Sequence, residues 1–198
     1  MKQNVVNQTV VSQPAVNQTA TSKANPKTDR LLLGLIVALG AILVWQVSGT
    51  LEQRVIAVGD TAPQFKVTTD SGRTITATDF GGKLLVLNFW ASWCPPCVEE
   101  TPSLDAFTRV MAPEGVVVLG VSIDKNEAMY KRFLERFRPT YETSRDVDAD
   151  ISTSYGTFVF PETYIIDRSG TVVQKIIGEP EKGDWTDPEL LARIRRLL

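Results

Sequence analysis

Two cysteines, Cys94 and Cys97, are the residues of this chain best suited to chemistry, and two prolines separate them. The apolar run 84–93 that precedes them predicts a buried strand. Prolines are tolerated in the first turn of a helix, where backbone N–H groups lack partners anyway. The cysteines are therefore expected where a strand ends and a helix begins, at the positive end of the helix dipole.

Cys94 is the predicted nucleophile, because a helix N-terminus stabilises a thiolate relative to the thiol. Cys97 lies one turn further along the same side, close enough to attack a mixed disulfide at Cys94 and release the product. Since Pro95 and Pro96 carry no N–H, the Cys94 sulfur should depend on the Cys97 N–H. This spacing predicts a redox-active disulfide between Cys94 and Cys97 as a two-electron switch, with no further cofactor.

Two plainer interpretations compete with redox chemistry. A structural zinc site usually has four Cys or His ligands, but the chain has two Cys and no His, so no metal site is predicted. A purely structural disulfide is the other alternative, although closing so short a loop removes little chain entropy. Redox chemistry is the favoured interpretation.

Charge is divided unevenly along the chain. Residues 1–30 carry four basic side chains against Asp29 alone, whereas the whole chain has a net charge of −2. An acidic domain behind a basic tail argues against nucleic-acid binding, which needs a clustered basic face. Because residues 1–26 are rich in Asn, Gln, Thr and Ser, we predict a disordered, polar cytoplasmic tail over residues 1–30.

An uncharged run of 21 residues, 31–51, follows the tail. As a helix it would be about 31 Å long, enough to cross a hydrocarbon core of roughly 30 Å. We predict an uncleaved transmembrane anchor in contact with membrane lipid; the alternative is a cleaved signal peptide, whose apolar part is usually only about 7–15 residues long. Lys23, Lys27 and Arg30 precede the run, so the positive-inside rule predicts a single-pass protein with a cytoplasmic N-terminus and an extracytoplasmic domain on the periplasmic side.

Residues 52–60 are predicted to be a connector, and residues 61–198 form one predicted domain. Alternating residues on either side of Asp70-Ser71-Gly72 predict an initial β-hairpin. Two continuous apolar runs, 84–90 and 116–122, are typical of parallel strands. The later segments are predicted as a helix over 126–138, an edge strand within 140–149, a helical turn at 150–155, a hairpin over 164–177, and a helix over 188–198 capped by Asp187. This order predicts an α/β sandwich on a mixed sheet.

Several short motifs accompany the dithiol. They are Ala62-Pro63-x-Phe65, Gly81-Gly82-Lys83, Asn88-Phe89-Trp90-Ala91-Ser92, Glu99-Glu100-Thr101-Pro102, Phe160-Pro161-Glu162-Thr163 and Ile166-Asp167-x-x-Gly170. With them, residues 59–198 resemble the thioredoxin superfamily, and more narrowly its membrane-anchored branch containing TlpA, ResA and the cytochrome c maturation thioredoxins. The resemblance implies a thioredoxin-like sandwich, with a mixed central sheet flanked by helices and an N-terminal β-hairpin extension.

The resemblance also implies roles for residues outside the dithiol. Pro161 is expected to be a cis-proline beside the cysteines that helps to hold a substrate peptide; the alternative is a trans proline at a strand edge. Phe160 should present its backbone to the substrate, and Trp93 should pack around the dithiol and contact the substrate.

Glu100 is the fourth predicted catalytic residue, beside Cys94, Cys97 and Pro161. On a helix it projects from the same flank as Cys97, and in the ResA-like proteins that the chain resembles, the matching glutamate influences protonation of the dithiol. The alternative is a solvated first turn in which Glu100 compensates the helix dipole. Asn88 stands where cytoplasmic thioredoxins have a buried aspartate, so any proton relay is expected to pass through Glu100 or solvent.

These features together predict a membrane-tethered thiol-disulfide oxidoreductase. Its expected partners are the thiols and disulfides of exported proteins, such as apocytochrome c or the copper-site cysteines of an oxidase, and an upstream membrane thiol reductase. The rival hypothesis is a copper-delivery or chaperone module that binds Cu(I) through its soft thiolates. A peroxidase would need a separate peroxidatic cysteine, and the chain has only the pair.

Overall fold

The computed structural model describes residues 26–51 and 55–198, with side chains in the first of these segments from Arg30 to Gln46. The chain divides into two compact units, Met1–Glu52 and Gln53–Leu198. The predicted tail at 1–25 and the first part of the predicted connector, 52–54, lie outside the described residues.

The first unit contains one described helix, α1, which spans Pro26–Leu51. Apolar side chains along it are exposed, Leu31, Ile36 and Leu43 among them. Judged on the residues that are described, no helix is long and apolar enough to cross a membrane. The transmembrane anchor predicted at 31–51 is therefore not confirmed.

The second unit is built on a mixed sheet with a separate hairpin. Its strands are β1 (Lys66–Thr68), β2 (Thr74–Thr76), β3 (Leu84–Trp90), β4 (Val116–Ser122), β5 (Glu142–Arg145), β6 (Glu162–Asp167) and β7 (Val172–Ile177). Strands β1 and β2 form the predicted hairpin, and the other five form a sheet in the order β5-β4-β3-β6-β7. In its centre, β3 pairs in parallel with β4 and antiparallel with β6. Every residue of β3 is buried, which explains its continuous apolar sequence.

Four α-helices complete the described part of the second unit: α2 (Pro95–Met111), α3 (Glu127–Phe137), α4 (Asp150–Ser154) and α5 (Pro188–Arg195). Asn126 caps α3 through a side-chain oxygen, and Asp187 caps α5 as predicted. Helix α2 contains Pro102 in its interior.

Side chains of β3 alternate between two cores, because successive residues of a strand face opposite sides of the sheet. Leu85, Leu87 and Phe89 pack in the core that includes the hairpin, whereas Leu84 and Val86 pack in the core that includes α2 and α5. A third, smaller cluster joins the two cysteines to Trp90 and to α3. The predicted α/β sandwich on a mixed sheet is confirmed, and it places the cysteines at the carboxyl end of its central strand.

Candidate functional site

Cys94 and Cys97 form a disulfide at the N-terminus of α2. Cys94 is the N-cap residue, with an extended backbone, and its sulfur accepts the Cys97 N–H at 3.3 Å. This contact is the one that the two prolines led us to expect. Cys94 is 5% exposed and Cys97 is 1% exposed. The sulfur that an incoming reactant can reach is therefore that of Cys94.

The Phe160–Pro161 peptide bond is cis, as the resemblance implied. The Phe160 carbonyl oxygen lies 3.5 Å from the Cys94 sulfur, and the carbonyl of Pro161 accepts the Gly178 N–H at 2.8 Å. Pro161 is buried. The fold thus brings a loop from the start of β6 against Cys94, the predicted nucleophile, and fixes the backbone of the loop there.

Exposed apolar side chains lie in the segments that carry Cys94 and Phe160. Trp93, Phe158 and Val159 are all more than half exposed, and the Trp93 ring meets the ring of Phe160 edge to face, with centroids 6.4 Å apart. Large exposed aromatic groups beside a reactive sulfur suit the binding of an apolar peptide. Phe158 and Val159 were not among the predicted site residues, although they immediately precede Phe160.

Glu100 is buried in α2, one turn after Cys97, with 2% of its surface exposed. The Asn88 side-chain amide donates to its Oε1 at 2.9 Å, and the indole N–H of Trp185 donates to its Oε2 at 3.0 Å. The alternative of a solvated Glu100 is therefore wrong, and only its neighbour Glu99 is exposed.

Burial raises the pKa of Glu100 to about 7, because it removes the carboxylate from water. The hydrogen bonds from Trp185 and Asn88 act in the opposite direction, and the negative charge of Glu179 adds to the rise in pKa. A carboxyl group with this pKa can gain or lose a proton near neutral pH. It stands one helical turn from Cys97, the cysteine predicted to resolve the mixed disulfide.

Sequence reasoning missed three side chains that hold the site in place. Trp185 reaches Glu100 from the segment between β7 and α5, and no pattern in the sequence linked the two residues. The Thr163 hydroxyl oxygen accepts a second hydrogen bond from Asn88, at 3.0 Å. Asp124, just after β4, accepts the N–H and the hydroxyl of Ser92, both at 2.8 Å. Asp124 could have been found, because adjacent parallel strands end at the same edge of a sheet.

Replacing Trp185 with phenylalanine should raise the pKa of Glu100 above its value of about 7, because the indole N–H that favours the carboxylate is lost. The aromatic contact with Phe107, at 5.5 Å between ring centroids, can be largely kept. Above neutral pH the variant should also lose about 1–3 kcal/mol of stability, the cost of an unpartnered buried oxygen. Carboxyl-carbon NMR titration and urea denaturation measure both effects; an unchanged Glu100 pKa would contradict the assigned contact.

The chain matches the family model described as the AhpC/TSA family over residues 58–175. It is 34% identical over 154 residues to thiol-disulfide oxidoreductase ResA of Geobacillus thermodenitrificans, with 78% of this chain and 87% of that protein covered. It is 32% identical over 161 residues to the ResA of Bacillus thuringiensis subsp. konkukian, with 79% of this chain and 92% of that protein covered.

A solved structure shows the same fold. The thioredoxin domain of a thiol-disulfide oxidoreductase from Bacteroides vulgatus matches with a TM-score of 0.60 and 25% sequence identity, over 71% of this chain and 97% of that one.

Proposed function

This chain belongs to the AhpC/TSA family and is a thiol-disulfide oxidoreductase, and from that premise we propose that it is tethered to a membrane and reduces disulfides of exported proteins. The observation that carries the proposal is the Cys94–Cys97 disulfide at the N-terminus of α2, with the Cys94 sulfur beside the cis-Pro161 loop. Curated relatives that cover most of the chain are thiol-disulfide oxidoreductases.

In the reductive direction, the Cys94 thiolate attacks one sulfur of a client disulfide. A bond forms between Cys94 and that sulfur, and the other client sulfur leaves as a thiolate. The Cys97 thiolate then attacks the Cys94 sulfur, which releases the second client sulfur. The client gains two electrons, and the enzyme is left with the Cys94–Cys97 disulfide.

Glu100 supplies the proton acceptor for the second step. Cys97 must lose its proton before it attacks, and the buried carboxylate one turn away can take it, since its pKa of about 7 lies near the working pH. Asn88 cannot titrate, so it positions the Glu100 carboxylate without exchanging a proton.

Trp93, Phe160 and Pro161 bind the client. An extended client segment lies along the cis-proline loop, where backbone groups of Phe160 are offered next to the Cys94 sulfur. The exposed ring of Trp93, which meets the Phe160 ring edge to face, offers this segment an apolar surface.

The tether is the uncharged segment 31–51. Its length, the exposed apolar side chains described in α1 and the basic residues before it support a single-pass anchor with the domain on the extracytoplasmic side. Each reductive cycle leaves the enzyme oxidised, so a membrane thiol reductase must restore the dithiol.

Suitable clients are cysteine pairs that must stay reduced after export, such as the haem-binding motif of apocytochrome c or an oxidase copper site.

The experiment is disulfide trapping with the full chain in cell membranes. A Cys97→Ala variant lacks the resolving thiol and should accumulate mixed disulfides between Cys94 and its clients, visible as dithiothreitol-sensitive bands and identified by mass spectrometry. We expect exported proteins with paired cysteines in these adducts, and labelling of Cys94 by a membrane-impermeant thiol reagent from the outside. Adducts with cytoplasmic proteins only would overturn the proposal. A Cys94→Ala, Cys97→Ala double variant is the control for nonspecific adducts.

A further inference from the structure

A groove of about 350 Å³ lies next to the disulfide, between α3 and the start of α2. Apolar groups form much of its surface and two guanidinium groups flank them. Its lining includes Val98, Met129, Arg132, Phe133, Arg136 and Phe137. The mechanism above uses none of these residues.

The groove is continuous with the site. Val98 follows Cys97 directly, and Ser92, another lining residue, stands two positions before Cys94. The cluster that holds both cysteines also includes Phe133 and Phe137, whose ring centroids are 4.5 Å apart. A client whose cysteine reacts with Cys94 therefore brings the residues that flank it within reach of the groove, since an extended chain advances about 3.3 Å per residue.

Both arginines are exposed and lie one helical turn apart. The Arg136 guanidinium lies 5.0 Å from the centroid of the Phe137 ring, which holds it against the groove wall. Arg132 donates through Nε to the Ala128 carbonyl of its own helix. Within the described part of the chain, no ion pair involves either guanidinium.

The charge of the groove contrasts with that of its surroundings. The chain as a whole is acidic, with a net charge of −2. On α3 itself, Glu127 forms ion pairs with Lys131 and Arg145. Neither Glu127 nor Glu135 lines the groove. Two unneutralised guanidinium groups beside an apolar floor favour a ligand that combines carboxylates with an apolar side chain.

We propose that this groove selects protein clients in which acidic and apolar residues flank the reacting cysteine pair. The inference rests on the proposed function, because it concerns the disulfides that the enzyme accepts. Arg132 and Arg136 would pair with client carboxylates, while an apolar client side chain between them packs on Met129 and Phe137. The contact adds selectivity for the client and leaves the chemistry at Cys94 unchanged.

The test compares two synthetic peptides, each with one internal Cys-x-x-Cys disulfide. They differ only after the second cysteine, where one continues Asp-Leu-Glu and the other Asn-Leu-Gln. The full chain, reduced and held in a nonionic detergent, should reduce the acidic peptide about 5- to 20-fold faster than the neutral one at low salt, as exposed ion pairs allow. This preference should shrink at high salt because the charges are exposed.

An Arg132→Glu, Arg136→Glu double variant should lose or reverse the preference, while its rates with the neutral peptide and with oxidised dithiothreitol stay unchanged. The matched control is Lys66→Glu, Arg196→Glu, which changes the net charge equally at exposed positions away from the groove. It should keep the preference.

Equal rates for the two peptides in the wild-type chain, or the same preference in the groove variant, would overturn the inference while leaving the proposed function intact. If the groove instead receives a second copy or anionic lipid, the rates will be equal, and the groove variant will change the sedimentation or vesicle binding of the chain. Failure to reduce either peptide would overturn the proposed function as well.

Discussion

Replacing Cys94 with alanine should lower the rate of disulfide reduction by roughly three orders of magnitude or more, as loss of an enzyme nucleophile does. Cys94 is the more exposed of the two sulfurs and the one beside the Phe160 carbonyl. Cys97, at 1% exposure, cannot take over the attack on a client.

Replacing Cys97 with alanine should have a different outcome. The first step survives, since Cys94 keeps its place at the helix N-terminus and the backbone N–H of residue 97 still faces its sulfur. The second step fails, so a stable adduct should accumulate in one stoichiometric turnover.

Stopped-flow reduction of a fluorescent disulfide peptide by each reduced variant, followed by mass spectrometry of the intact product, measures both outcomes. The two variants serve as controls for each other, because each removes one cysteine sulfur and the two positions are three residues apart. An adduct on Cys97 in the Cys94→Ala variant, formed at the wild-type rate, would contradict the assigned roles.

Replacing Glu100 with glutamine should remove a large pH dependence of stability. The folded-state pKa of Glu100 is raised to about 7 from its ordinary 4.5, mainly by burial. Between these two pH values the folded chain holds a proton that the unfolded chain has released. Stability therefore falls as pH rises through this window, by about 3 kcal/mol in total, and stays level above it.

The measurement is urea denaturation of the oxidised wild type and of the Glu100→Gln variant between pH 4.5 and pH 8. Glutamine offers only one oxygen to the two donors Asn88 and Trp185, which adds an offset that does not depend on pH. The free energy of unfolding of the variant, relative to that of the wild type, should nevertheless increase by about 3 kcal/mol as pH rises. A difference that stays constant would show that Glu100 has an ordinary pKa.

The same variant should slow the release of client from the Cys94 adduct by about 100-fold or more near neutral pH, since general base catalysis typically contributes at least about that factor. Formation of the adduct should be affected much less. A Glu99→Gln variant is the matched control, since Glu99 is exposed in the same turn of α2. Equal release rates in the Glu100 and Glu99 variants would rule out the proposed role.

Much of the site was predictable because its parts are local in sequence. The apolar run of β3, the two prolines and the spacing of the cysteines fix the N-terminus of α2, so the Cys97 N–H contact to the Cys94 sulfur followed from short-range geometry. The resemblance then supplied the cis bond before Pro161.

The environment of Glu100 was less predictable, because distant segments create it. Its position in α2 was clear, but its burial depends on Asn88 in β3 and on Trp185, which lies 85 residues further along the chain. A pattern within one helix cannot show which residues of another segment cover it. The sequence predicted the edge strand β5 only as lying somewhere within residues 140–149. Its bounds likewise depend on a distant segment, because β5 forms by pairing with β4.

Whether this enzyme works as a reductant is tested most directly by the reduction potential of the full chain in detergent, equilibrated with dithiothreitol or glutathione buffers. We predict a potential near or below the value of about −270 mV that is typical of thioredoxin. A potential near the value of about −120 mV found for the oxidant DsbA would contradict it, because the Cys94–Cys97 disulfide would then pass on to client proteins instead of being formed from theirs.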